Sequence, residues 1–109
     1  MITLHEAGVR VAMGTDSGPP ARFQGYYEHL EMQMMEAAGM PPVDVLRSAT
    51  SVAAACMGLG DTLGRLDVGY WADFVTFSRD PLTSMDNLRS LGQVFIAGER
   101  FESPFSDNR

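Results

Sequence analysis

The sequence predicts an α/β protein in which a strand, several helices and a β-rich end follow one another along the chain. Three observations carry this prediction: an apolar, β-branched stretch at 9–13, helical periodicity from residue 26 onward, and glycine turns alternating with apolar runs after Gly60. With 109 residues, the chain has the length of one ordinary domain. We therefore expect one α/β unit with two unlike halves, 1–60 and 61–109.

The first half begins with a helix end and a strand. "ITLHEAG" (2–8) predicts the tail of a truncated helix that Gly8 ends. "VRVAM" (9–13) is apolar except for Arg10, which is typical of a buried strand in a parallel sheet. The loop "SGPPARFQG" follows, so this strand would end close to Asp16.

Three helices are predicted next. Apolar residues at helical spacing predict a helix over 26–38. A second helix is predicted over 42–49, because the first turn of a helix tolerates the missing N–H of Pro42. Thr50 or Ser51 would cap the third helix, "VAAACMGL", with its side-chain oxygen.

The second half predicts short strands. "FVTF" (74–77) is the clearest of them, and "LGQVFIAGERFES" predicts two strands joined at Ala97–Gly98.

Composition restricts the possible partners and location. The net charge of −6 and the eight scattered basic residues argue against nucleic acid, which is bound through clusters of Lys and Arg. The sequence contains no apolar run long enough for a membrane span and no signal-peptide pattern, so we expect no membrane association and a cytoplasmic location. The single cysteine, Cys56, lies in an apolar stretch and is expected to be buried and reduced.

Three side chains are candidates for a functional site. On the residues alone, Asp16 at a strand end is more often a turn former or helix cap than a catalytic acid. His29 fits a half-exposed helix histidine better than a substrate contact. Arg22 could pair with a substrate carboxylate, although a solvated loop arginine fits equally well. His5 is expected to be structural.

Three stretches, in this order, carry a family resemblance: "GTDSG" (14–18), "EAAGMPPVDVLRSAT" (36–50) and "LGRLDVGYWADFVTFSRDPL" (63–82). The last follows the pattern L-G-x-L-x-x-G-x-x-A-D, and "VFIAGE" (94–99) matches a final strand. Together they resemble the C-terminal part of the amidohydrolase superfamily, in its branch of imidazolonepropionase-like and Xaa-Pro dipeptidase-like enzymes.

The resemblance implies a fold and an activity. Residues 1–60 would be the C-terminal part of a (β/α)8 TIM barrel, namely its last strand and following helices, and 61–109 would be strands of a small composite β-sandwich. Family members hydrolyse C–N bonds of small molecules with water activated at a divalent metal, commonly zinc. Asp16 matches the acid that ends the eighth barrel strand, which implies a metal ligand and general acid/base at the barrel mouth.

The family's other metal ligands are missing from this sequence. It contains no His-x-His, its only histidines are His5 and His29, and it has no lysine to match the fourth strand. A barrel needs about 250 residues, and one carboxylate cannot hold a catalytic metal. We therefore expect a C-terminal piece of an amidohydrolase that by itself binds no metal and is inactive.

Two alternatives remain open at this stage. The chain could be a non-catalytic structural or interaction module derived from such an enzyme, or one subunit of a split enzyme whose ligands come from another chain. In the full enzyme the β-rich end would pair with strands of the missing N-terminal part, so the isolated chain is expected to cover its strand edges and apolar helix faces by forming a homo-oligomer or a segment-swapped dimer.

Overall fold

In the computed structural model, which describes residues 1–18, 20–21 and 23–102, the first half of the chain forms four helices. They are α1 (Ile2–Glu6), α2 (Tyr26–Ala37), α3 (Pro42–Ala49) and α4 (Ser51–Cys56). The three helices predicted after residue 25 and the helix end before Gly8 are therefore confirmed. Over these described ranges, no helix has the length and apolar character that crossing a membrane requires.

The second half forms a small antiparallel sheet with strand order β1-β2-β3. Its strands are β1 (Phe74–Phe77), β2 (Leu91–Ile96) and β3 (Glu99–Arg100). The strands predicted at 74–77 and on both sides of Ala97–Gly98 are confirmed. Phe74 pairs with Phe95, and their rings stack with centroids 4.4 Å apart, which stabilises the pairing of β1 with β2.

Ala72 and Asp73, which end the L-G-x-L-x-x-G-x-x-A-D motif, accept hydrogen bonds from the hairpin turn at Ala97–Gly98. Ala97 and Gly98 have φ angles of 53° and 81°, as a two-residue type I′ turn requires. The Asp73 carboxylate accepts a hydrogen bond from the Ala97 N–H at 2.7 Å, and the Ala72 carbonyl accepts one from the Gly98 N–H at 2.9 Å. The Ala-Asp pair of the motif thus has a structural function.

The hydrophobic core lies between the helices and a 3-10 helix at Met85–Ser90, which the sequence analysis did not predict. Ser84 is the N-cap of this helix, because its side chain accepts a hydrogen bond from the Asp86 N–H. The core draws side chains from both halves of the chain. Its buried members are Met35, Met40, Val45, Met85 and Leu88.

The strand predicted at 9–13 is not formed, and this prediction was wrong for the described structure. The segment has no regular secondary structure and is attached to α3 instead: the Met13 N–H donates to the Ser48 carbonyl at 3.1 Å, and the Ser48 hydroxyl donates to the Val11 carbonyl at 2.5 Å. A strand is assigned only when a neighbour completes its hydrogen-bond ladder, and none of the described strands pairs with 9–13.

Two smaller expectations were also wrong. Cys56 is exposed rather than buried, because it lies at the last position of the six-residue α4. Thr50 precedes α4, but its hydroxyl donates to the Leu46 carbonyl at 2.7 Å and leaves α4 without a side-chain cap. Threonine makes such bonds to the preceding turn readily.

Candidate functional site

Asp16 lies in the loop 14–18, directly after the segment 9–13. Its side chain is exposed and its φ is 52°, in the left-handed region. Asp and Asn adopt this region far more readily than other residues with a side chain. The geometry accommodates both interpretations of Asp16, because a turn former and an acid presented at a strand end would each occupy such a loop.

The residues on both sides of Asp16 are bound to Glu28, in the first turn of α2. The Thr15 hydroxyl donates to Glu28 Oε1 at 2.9 Å, and the Ser17 hydroxyl donates to the same oxygen. The Ser17 N–H in turn donates to Thr15 Oγ1 at 3.1 Å. We call Thr15, Ser17 and Glu28 the loop clamp.

Glu28 also binds the start of its own helix. Its Oε2 accepts a hydrogen bond from the backbone N–H of Gly25, the N-cap of α2. This is the glutamate half of a capping box, since glycine has no side chain to supply the other half. One carboxylate therefore joins the helix start to the Asp16 loop.

These hydrogen bonds favour the ionised carboxylate. The Ser17 hydroxyl contributes most, followed by the Glu28 backbone; weaker contributions come from Thr15 and Gly25, and partial desolvation opposes them. Together they lower the pKa of Glu28 from 4.5 to about 2. Glu28 is consequently ionised at neutral pH and accepts hydrogen bonds with both oxygens.

Glu28 was not among the residues predicted from the sequence. A signal was present, because a glutamate three residues after a glycine, at the start of an apolar helical pattern, is typical of a capping position. The hydroxyls of Thr15 and Ser17 gave no comparable signal, since their common partner Glu28 lies 13 and 11 residues further along the chain, respectively.

His29 lies on α2 beside an open cavity of about 400 Å³ between this helix and the 3-10 helix. Its Nδ1 is buried and has no hydrogen-bond partner. Gln33 and Arg89 also line the cavity. No residue of loop 14–18 lines it, so the described structure does not bring Asp16 and His29 into one pocket.

The remaining candidates fall outside this arrangement. Arg22, proposed as a substrate contact, lies outside the described residues. His5 connects α1 to α3, with its Nε2 3.3 Å from Asp44 Oδ2, which agrees with the structural role expected for it.

The described residues do not form a complete metal centre. Across residues 1–18, 20–21 and 23–102, no group of three or more His, Cys, Asp or Glu side chains is arranged to hold a metal ion. A catalytic zinc site normally has three protein ligands. A carboxylate such as Asp16 suits a divalent ion, but this part of the chain does not supply the other donors.

Comparison with known proteins shows the family. The sequence model of the amidohydrolase family matches residues 1–101, so the chain belongs to the amidohydrolase family. The predicted resemblance is thereby confirmed. Members of this family generally use divalent metals.

Individual relatives agree with this assignment. The chain is 32% identical to ochratoxinase from Aspergillus niger over 104 residues, 91% of the chain and 21% of that protein. It is 35% identical to imidazolonepropionase from Pseudomonas putida (strain GB-1) over 82 residues, 71% of the chain and 19% of that protein. A Xaa-Pro dipeptidase structure with methionine bound in its active site superposes with a TM-score of 0.82 at 29% identity, covering 92% of this chain and 24% of that one. The chain thus spans about a fifth of the length of the curated relatives it matches.

Proposed function

We propose that this chain is the C-terminal part of a metal-dependent amidohydrolase that hydrolyses amide or cyclic amide C–N bonds in small molecules. The match of the amidohydrolase family to residues 1–101 carries the proposal. Residues 1–60 would belong to the catalytic barrel and 61–109 to its β-sandwich. We place the whole protein in the cytoplasm.

The segment 9–13 is proposed as the last strand of the barrel. Val11 and Met13 already pack against the core. Pairing with strands from the rest of the protein would supply the hydrogen-bond ladder that the segment lacks here.

Asp16 is the residue of this chain to which we assign chemistry. A bound divalent ion, for which we propose zinc, would polarise the scissile carbonyl and lower the pKa of a water molecule. Asp16 would serve as one ligand of that ion. Its carboxylate would also take a proton at an Oδ atom and return it to the leaving nitrogen.

The proposal is tested on the protein translated from the complete reading frame that contains these residues. We expect an upstream His-x-His and a divalent metal in the purified protein, and we expect it to hydrolyse compounds from a panel of N-acyl amino acids, Xaa-Pro dipeptides and cyclic amides. The 109-residue chain alone should show neither metal nor activity. Elemental analysis and product chromatography measure both.

Asp16→Asn is the informative variant, because asparagine also tolerates a φ of 52° and the backbone should be unchanged. Loss of the acid should lower kcat by about 10²- to 10⁴-fold. Asp16→Ala removes the same carboxylate and also adds left-handed strain. Comparing it with Asp16→Asn therefore separates the loss of the acid from the effect on the backbone.

Full activity of Asp16→Asn would contradict the role of Asp16. A reading frame that starts at Met1 and lacks a His-x-His would contradict the enzyme proposal and favour a non-catalytic module. Metal binding that returns when a second chain with a His-x-His is added would instead favour a split enzyme.

A further inference from the structure

We propose that Glu28 is a positioning residue, which holds the backbone of loop 14–18 and thereby sets the direction of the Asp16 carboxylate. This inference rests on the proposed function for the role of Asp16. It assigns Glu28 no contact with the substrate.

The loop clamp holds the backbone on both sides of Asp16. Thr15 and Ser17 flank Asp16 on either side, and both hydroxyls donate to the same oxygen of Glu28. The bond from the Ser17 N–H to Thr15 Oγ1 closes a short ring over Asp16. The backbone is therefore fixed immediately before and immediately after the proposed catalytic acid.

Glu28 is itself anchored at the start of α2. Glu28 lies in a helix of twelve residues, and its second oxygen binds the Gly25 N–H at the start of that helix. Glu28 thus transmits the position of α2 to the loop. Side chains held on helices fix a site more precisely than side chains held on loops.

The conformation of Asp16 also benefits from this restraint. A φ of 52° costs free energy for a residue with a side chain, less for Asp than for most, and such conformations persist where the surrounding structure supports them. The two hydroxyls that flank Asp16 give this support through a carboxylate, and bonds to a charged acceptor are about twice as strong as neutral ones.

Neighbouring Glu31 does not account for this restraint. Its Oε1 accepts a hydrogen bond from the Gly14 N–H at 3.4 Å, a long bond at the beginning of the loop. Glu31 touches neither of the residues that flank Asp16 in any contact that the described structure shows.

NMR spectroscopy of the 109-residue chain tests the inference with Glu28→Ala, Glu28→Gln and the control Glu6→Ala. Glu6 is an exposed helix glutamate, and the described structure gives it no side-chain hydrogen bond. The HN–Hα coupling and Cα shift of Asp16 report its φ, and amide exchange reports protection of residues 15–17.

In Glu28→Ala we expect the HN–Hα coupling of Asp16 to move towards the averaged value of a flexible loop. Amide exchange at residues 15–17 should become about tenfold faster, which corresponds to about 1.4 kcal/mol. Glu28→Gln should change both the Asp16 coupling and the exchange rates less than Glu28→Ala does. Its amide oxygen can accept a hydrogen bond from one hydroxyl, but it carries no charge. Glu6→Ala should change neither. If Glu28→Ala does not fold by circular dichroism, the isosteric Glu28→Gln gives the decisive measurement.

A cycle with Ser17→Ala separates positioning from helix capping, and Thr15 is kept because its Oγ1 also accepts a hydrogen bond from the Ser17 N–H. If the Ser17 hydroxyl acts through Glu28, the exchange rates of the combined variant Glu28→Ala/Ser17→Ala should equal those of Glu28→Ala alone. An unchanged Asp16 coupling in Glu28→Ala and Glu28→Gln, with faster exchange confined to α2, would overturn the inference. These readouts concern the loop only, so they are independent of whether Asp16→Asn abolishes activity in the whole protein.

Discussion

At the scale of single residues, two glycines of the L-G-x-L-x-x-G motif have a positive φ for different reasons. Gly64 has a φ of 86°, and a Cβ there would lie 2.8 Å from the Thr50 carbonyl oxygen. Gly69 has a φ of 88°, and nothing lies within 4 Å of its Cβ position. Gly64 therefore needs both the conformation and the space, whereas Gly69 needs only the conformation.

This difference predicts unequal effects of one substitution. Gly64→Ala should lower the free energy of unfolding by about 2–4 kcal/mol, from left-handed strain plus a collision with backbone. Gly69→Ala, the matched control, should cost about 1 kcal/mol. Urea unfolding followed by circular dichroism gives both values, and equal costs would show that the contact at Gly64 relaxes.

Glu28 gives a second prediction at this scale. Its folded-state pKa of about 2 lies below the ordinary 4.5, so the ionised form stabilises the fold. This stability is fully present above the ordinary pKa and is lost as the pH falls from 4.5 towards 2.

The unfolding free energies of wild type and Glu28→Gln should therefore differ by a constant amount above about pH 5 and converge below it. A gap that persists at low pH would mean that Glu28 acts by packing rather than by its charge.

At the scale of elements, the helices and strands that were predicted correctly are those determined by local interactions in the sequence. Periodicity fixed the position of α2, and the Ala97–Gly98 turn fixed the hairpin. The strand at 9–13 could not be predicted correctly, because strand pairing depends on neighbours and not on the segment alone. The loop clamp was missed for a related reason, since its partners are distant in sequence.

We expect the 3-10 helix to stabilise the fold mainly through Met85, which is fully buried in the core between the two halves of the chain. Met85→Ala should destabilise the protein by about 2–5 kcal/mol, because it leaves a cavity in the core. Met57→Ala is the control, since that side chain is 76% exposed and should change stability by less than about 0.5 kcal/mol. Thermal unfolding measures both, and a tolerated Met85→Ala would show that the two halves do not depend on this contact.

At the scale of the whole molecule, apolar surface is abundant. Only five hydrophobic side chains are buried across the described ranges, whereas Leu66, Val68 and Trp71 are among the large apolar residues that are exposed, Val68 at 97%. In the described sheet, β1 and β3 are outer strands with one unpaired edge each. Such surfaces mark sites of association.

We accordingly predict that the 109-residue chain self-associates in solution. Light scattering coupled to size exclusion should give at least twice the chain mass of 11.9 kDa. Val68→Asp should shift the mass towards that of a monomer, because it places a charge on exposed apolar surface. Thr3→Asp, which adds the same charge at an exposed polar position on α1, should not. A monodisperse monomer of the wild-type chain would contradict the prediction.

The exposed position of Cys56 has a practical consequence. It is the only thiol in the sequence and stands at the end of α4, so a maleimide dye will attach once per molecule at a known place. Air oxidation could join two molecules through this sulfur atom, and a reducing agent then distinguishes covalent pairs from true self-association.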